Sequence, residues 1–97
     1  MTKYFPIEEF AISLEIIISF QGASKNGMQI GDTTLNVTIY NSIGEIIGTI
    51  TNNTKVQQAN IDFYFFENEL TLTGEYTLEA TCQKGMLNLN YSIEVRY

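Results

Sequence analysis

The side chains able to do chemistry are few, and the absent ones decide more than those present. The chain has no histidine, no tryptophan and a single cysteine, Cys82. Without an imidazole, Ser-His-Asp and Cys-His nucleophilic catalysis are excluded, and one thiolate cannot replace the missing ligands of an ordinary zinc site. Carboxylates are what is left. Glu67 with Glu69 or Glu75 is the acidic cluster near a loop, and two carboxylates at the right separation can hydrolyse a glycosidic bond. A chain of 97 residues offers little cleft to hold a sugar ring, so the cluster reads as a solvated acidic loop and no enzyme activity is expected. The same loop, with Asp62, Glu67, Asn68 and Glu69, supplies hard oxygen ligands for a weak calcium site. It lacks the Asp-x-Asp-x-Asp-Gly register of a dedicated loop, and Asp32 beside Gly31 reads equally well as a turn residue. No cofactor or metal is expected.

Charge narrows the partners. Eleven acidic residues against five basic give a net charge of −6, and Lys3, Lys25, Lys55, Lys84 and Arg96 are scattered singly. No basic patch is available to pair with phosphates, which disfavours nucleic acid and an anionic membrane surface. An acidic balance keeps a small β protein soluble and limits pairing between exposed sheet edges. Residues Met1 to Phe10 include Glu8 and Glu9 and no long apolar run, so no secretory signal is expected, and no apolar stretch reaches spanning length. These features point to a product made in the cytoplasm. Cys82 can form no internal disulfide, and its inward parity on a strand predicts a buried, inert thiol. The sequons at Asn36, Asn52 and Asn90 are expected to carry no sugar, because two of them fall inside predicted strands.

The elements that must position these residues are strands. From Tyr76 to Tyr97 apolar and polar residues alternate almost without fault, which predicts a final hairpin of half-buried strands. Ala11 to Phe20 is an earlier strand with Ile12, Leu14, Ile16, Ile18 and Phe20 on one face and Ile17 as the exception on the other. Gln21 to Thr33 is the longest loop, with Gly22, Gly27 and Gly31. Thr34 to Tyr40 and Glu45 to Thr51 read as strands joined by Asn41-Ser42-Ile43-Gly44, where Gly44 closes the turn. In the second of these, Ile46 and Ile47 are adjacent and either could face inward. Thr51 to Lys55 is a polar loop, Val56 to Phe65 a strand with Ile61, Phe63 and Phe65 together, and Phe66 to Thr73 a connection anchored by Leu70 and Leu72. About seven strands with a turn signal every ten or so residues predict an all-β fold, an antiparallel β-sandwich forming one domain over residues 11–97.

Two sets of apolar residues do not fit that core. Pro6 interrupts any early ladder, so residues 1–10, with Tyr4, Phe5, Ile7 and Phe10, form either an edge strand of the domain or an arm that docks on a neighbour. Tyr64 and Phe66 fall on the polar parity of their strand, and Tyr40 ends another. Aromatic residues on a solvent face anchor interfaces, because they bring apolar area at little cost in side-chain entropy. A bulge or strand end that reverses parity would bury them instead. Both readings stand on sequence. Tyr4, Phe5, Ile7, Phe10, Tyr40, Tyr64 and Phe66 are the candidate partner-binding residues.

Two short motifs point to a family. Leu72-Thr73-Gly74-Glu75-Tyr76-Thr77-Leu78 has the Gly-x-Tyr spacing of a tyrosine corner, with Gly74 and Tyr76 as its residues. Val37 to Ile47 resembles the hairpin of strand, Asn-rich turn, glycine and strand found in bacterial and phage immunoglobulin-like modules. Together they resemble the immunoglobulin-like domains of phage virion proteins, including capsid decoration proteins and the amino-terminal domains of baseplate proteins, over roughly Thr34 to Tyr97. The Cys, Trp, Cys set of antibody domains is absent. The resemblance implies an immunoglobulin-like Greek-key sandwich acting as a non-enzymatic structural protein of the virion, bound to capsid or tail subunits as an auxiliary or decoration protein. The alternative is a soluble binding module or inhibitor whose loops Gln21 to Thr33 and Thr51 to Lys55 grip a protein or glycan partner.

Overall fold

Among the described residues the alternation seen along the chain becomes nine strands. The computed structural model describes the backbone of residues 1–22, 24–25, 28–29, 33–54, 58–83 and 86–97, and the side chains of residues 1–19, 34–52, 60–82 and 89–97. In chain order the strands are β1 (Thr2–Ile7), β2 (Ser13–Gly22), β3 (Ser24–Lys25), β4 (Met28–Gln29), β5 (Thr33–Tyr40), β6 (Ile46–Thr54), β7 (Gln58–Phe66), β8 (Gly74–Gln83) and β9 (Met86–Arg96). One turn of 3₁₀-helix, Glu67–Glu69, follows β7. Every pairing is antiparallel. A four-stranded sheet runs β1-β8-β5-β6, a three-stranded sheet runs β7-β2-β9, and β3 and β4 form a separate two-stranded ribbon.

The two sheets enclose one core. Phe5, Ile7, Leu35, Val37, Ile39, Tyr76 and Leu78 point inward from the first sheet, and Leu14, Ile16, Ile18, Ile61, Phe63 and Phe65 from the second. Along one side β6 lies over β7, so closely that a Cβ on Gly48 would come within 2.9 Å of the Phe65 ring. Along the opposite side the Lys3 ammonium sits 5.6 Å from the centre of the Tyr91 ring.

Several expectations change. β8 and β9 do not form a hairpin: β8 pairs with β1 and β5, and β9 with β2 in the other sheet. Alternation fixes which face of a strand is buried but not which strand it pairs with, and two strands facing each other across a sandwich show the same pattern as two strands side by side. Residues 51–54 belong to β6 rather than to a polar loop, and the Gln21 to Thr33 region contains the β3–β4 ribbon. Ile12 precedes β2 and is exposed, while Leu72 and Tyr97 are also more open than their parity implies. Cys82 is half-buried against the core rather than fully enclosed.

The adjacent isoleucines have a simple resolution. Ile39 pairs with Gly48 but Tyr40 pairs with Ile46, so a bulge leaves Ile47 as the extra residue. Ile46 then faces solvent beside Tyr40, and Ile47 packs against the core. Ile17 stays on the outer face of its sheet between Asp62 and Ser92.

In a constant-type immunoglobulin sandwich the first strand lies beside the second and the last beside the sixth. With the ribbon set aside, this chain has the same two central pairs, β2 with β7 and β5 with β8, but places β1 beside β8, β6 beside β5 rather than β7, and β9 beside β2.

Candidate functional site: an apolar end of the sandwich

Three connections and the end of β9 meet at one end of the molecule. β1 ends where Ile7 pairs with Gly74, the first residue of β8. β2 begins where Ser13 lies between Phe66 and Arg96. The β5–β6 hairpin reaches the same place, because a Cβ on Gly74 would stand 2.9 Å from the Ser42 Cβ. Each connection is held by specific bonds.

The hairpin is organised by Asn41, which is buried. Its Oδ1 accepts the backbone N–H of Ile43 at 3.1 Å and of Glu45 at 2.9 Å, and its Nδ2 donates to Glu45 Oε1 at 3.2 Å. Gly44 closes the turn at φ 84°, in the left-handed region that favours glycine. The result pins the hairpin while Ile43 at its tip stands in solvent.

The corner before β8 follows the Gly-x-Tyr spacing. Tyr76 is fully buried, its ring centre 5.9 Å from that of Phe5, and its hydroxyl donates to the Leu72 carbonyl at 2.6 Å. Burial raises its pKa above the usual tyrosine value. Leu70 anchors the same connection in the core, and Glu69 Oε1 accepts the Phe66 N–H at 3.2 Å.

Between β1 and β2 the chain must cross from one sheet to the other within five residues. Glu8 N–H donates to the Tyr97 hydroxyl at 3.1 Å, Ala11 is buried, and Ile12 N–H donates to the Arg96 carbonyl at 2.7 Å. Phe10, held between these anchors, has φ 68° and is 86% exposed. A left-handed conformation at a residue other than glycine costs about 1–2 kcal/mol. Here that cost accompanies a large apolar ring turned into water.

Phe10 has company. Tyr64 and Phe66 keep the outward parity of β7, 50% and 61% exposed, with their rings edge-on at 5.0 Å. No bulge reverses them. Ile12, Ile43, Leu72 and Tyr97 are exposed at the same end, and Ile46 lies just beyond. Beside Phe10 is an open depression of about 500 Å³ whose lining also includes Glu8, Glu9, Glu67, Asn68 and Thr71. The end is therefore apolar with a carboxylate rim. Its described base, Arg96, is bonded to Glu94 at 3.0 Å, which raises its pKa.

The seven residues named as partner-binding on sequence divide three ways. Phe10, Tyr64 and Phe66 meet at this end. Tyr4 is exposed on the outer face of the four-stranded sheet, in one row with Thr77, half-buried Tyr40 and Ile46. Phe5 and Ile7 are corrected: they are 6% and 1% exposed, because β1 pairs with β8 and sets both against the core opposite Tyr76 and Gly74. Residues 1–10 are thus an edge strand and a connection rather than a free arm, with Pro6 on an edge where a missing N–H is tolerated.

Ile12, Ile43, Leu72 and Tyr97 were not candidates on sequence. Ile12, Leu72 and Tyr97 sit at strand boundaries where parity loses meaning; Ile43 alone carried a signal, as an apolar residue at a turn tip.

No group of three or more Cys, Asp or Glu residues able to hold a metal ion occurs among the described residues. Glu69 is engaged at the turn after β7, and Asp62 lies on the outer sheet face beside Ile17. The side chains of Gln21 to Thr33 and of residues 53–55, in the loops of the binding-module reading, lie outside the described residues. Comparison of the chain with models of protein families, with curated proteins and with solved structures found no match.

Proposed function

We propose that this chain is a non-enzymatic structural protein of a phage particle, an auxiliary subunit that docks on capsid or tail subunits through the apolar end of its sandwich. The observation that carries the docking is Phe10, exposed on a strained but firmly anchored connection at the same end as Tyr64 and Phe66. Backbone strain that the surrounding structure holds in place is characteristic of functional surfaces, and clustered exposed apolar groups are a liability unless a partner covers them. Support for a virion comes from the resemblance carried by residues 37–47 and 72–78, together with the two central strand pairs that an immunoglobulin-like sandwich also has. In this reading the fold is a variant of that sandwich in which β1, β6 and β9 each lie in the sheet opposite to the one the constant-type order gives them.

The rim defines the partner's chemistry. Glu8, Glu9 and Glu67 beside Phe10 suit a protein surface with apolar pockets bordered by Lys and Arg, and not nucleic acid or an anionic membrane. Density-gradient separation of particles from cells expressing the chain tests the proposal, with the chain quantified by mass spectrometry. The wild-type chain travels with the particles, and Phe10→Gly/Phe66→Ser remains at the top while its circular dichroism is unchanged. A wild-type chain absent from the particle fraction, or a double variant retained equally, contradicts the proposal.

A further inference from the structure

Two hydrogen bonds from the end of β9 fasten the connection between β1 and β2, and they differ in kind. The Arg96 carbonyl accepts the Ile12 N–H at 2.7 Å, which continues the β2–β9 ladder by one step beyond the Ser13 and Arg96 pair. The Tyr97 hydroxyl accepts the Glu8 N–H at 3.1 Å. β9 belongs to the three-stranded sheet and Glu8 follows β1 of the four-stranded one, so the Tyr97 side chain ties the two sheets across the end of the sandwich. Glu9, Phe10 and Ala11 lie between the tied residues, and Ala11 is sunk in the core. An arc this short, fixed at both ends and drawn inward beside one of them, has to reverse sharply. Phe10 makes that reversal at φ 68°. Left-handed backbone at a residue other than glycine is outweighed about 5- to 30-fold when nothing holds it.

Given the docking role proposed for Phe10, on which this step rests, we propose that Tyr97 is a positioning residue whose hydroxyl holds Phe10 in the conformation that presents its ring to the partner. The ladder bond of Ile12 fixes the β2 end of the arc whatever Tyr97 does, whereas the Glu8 bond is the described tie at the β1 end beyond the last pair of that strand, Ile7 with Gly74. Released there, the arc gains slack and Phe10 returns to negative φ. The docking conformer then becomes the minor one, and apparent affinity falls in proportion to its population. With the tie in place the ring is set before contact, and docking spends nothing on ordering it. Strain of this kind persists where surrounding bonds over-determine it, and Tyr97 supplies the bond that does so from outside the ladder.

Tyr97→Phe removes the hydroxyl and keeps the ring. NMR of the free, full chain should show a strong intraresidue HN–Hα cross-peak at Phe10, the mark of positive φ, in wild type and its loss in Tyr97→Phe. The Glu8 amide should exchange faster in the variant, while cross-strand contacts of β1 with β8 and of β2 with β9 are unchanged. Binding to particles isolated from cells expressing the chain should weaken about 5- to 30-fold. In a Phe10→Gly background the same change should weaken binding no further, because Tyr97 acts through Phe10. A Tyr97 hydroxyl that bonded the partner itself would cost the same in both backgrounds, and that result overturns the positioning role. So does positive φ retained at Phe10 in Tyr97→Phe, or binding unchanged once positive φ is lost. A wild-type chain that fails to bind particles overturns the docking role instead, and the free-chain spectra then decide the part of Tyr97 without a particle.

Discussion

Phe10 combines a left-handed backbone with an exposed ring, and neither feature helps the isolated domain fold. Phe10→Gly removes a cost of about 1–2 kcal/mol and restores about 0.5–1 kcal/mol of backbone entropy to the unfolded chain. The variant is therefore expected within about 1 kcal/mol of wild type, on the stabilising side, by chemical denaturation. A loss of several kcal/mol would make Phe10 a structural residue. Tyr76 is the opposite case, a buried group whose bond serves the fold. Tyr76→Phe should cost about 1 kcal/mol, the net value of one hydrogen bond, as the Leu72 carbonyl loses its donor. Because burial raises the folded-state pKa above the usual 10.0, the native state holds this proton more tightly than the unfolded chain. The stabilisation is fully present below pH 10 and is lost as pH rises through the folded-state value. Urea titrations from pH 9 upward should fall less steeply for Tyr76→Phe than for wild type, and parallel curves would contradict the assignment.

Strands were legible in the sequence because a buried face writes itself as alternation, so Leu14, Ile16 and Ile18 of β2, the inward sets of β5 and β7 and the Asn41–Gly44 turn are where period and turn chemistry placed them, while Ile12 is exposed and the Phe20 side chain lies outside the described residues. What alternation leaves open is the neighbour. Four of the six strand pairings join elements distant along the chain, and no local signal distinguishes a hairpin of β8 and β9 from a crossing between sheets. The positive φ of Phe10 likewise left no mark, since it is imposed by the need to bridge two sheets in five residues. Pro6 misled for a related reason: it argues against a central strand, and an edge strand accepts it. β1 consequently belongs to the domain. Removing residues 1–6 takes Phe5 from the core and should cost at least about 3 kcal/mol, the lower range for losing a buried phenylalanine, read as a lowered denaturation midpoint. Gly48 marks the opposite margin of the sandwich. Gly48→Val would press on the Phe63 and Phe65 rings, with an expected loss of about 1–3 kcal/mol from overpacking.

At the scale of the whole molecule, the chain is drawn out, 49 × 21 × 17 Å along its principal axes, and the described side chains include exposed apolar groups in separate places. Phe10, Phe66 and Tyr97 stand at one end, whereas exposed Tyr91 lies on β9 beside Lys3. An elongated domain with an apolar tip and an acidic rim is suited to end-on attachment, and a tip partly driven by charge should release more readily as salt rises. Hydroxyl-radical footprinting of the chain, free and on purified particles, tests this most directly because it reads phenylalanine and tyrosine exposure one residue at a time. Oxidation of Phe10, Tyr64, Phe66 and Tyr97 should fall sharply on the particle while that of Tyr91 is unchanged. Undiminished oxidation of Phe10 and Phe66 on a particle-bound chain would contradict it.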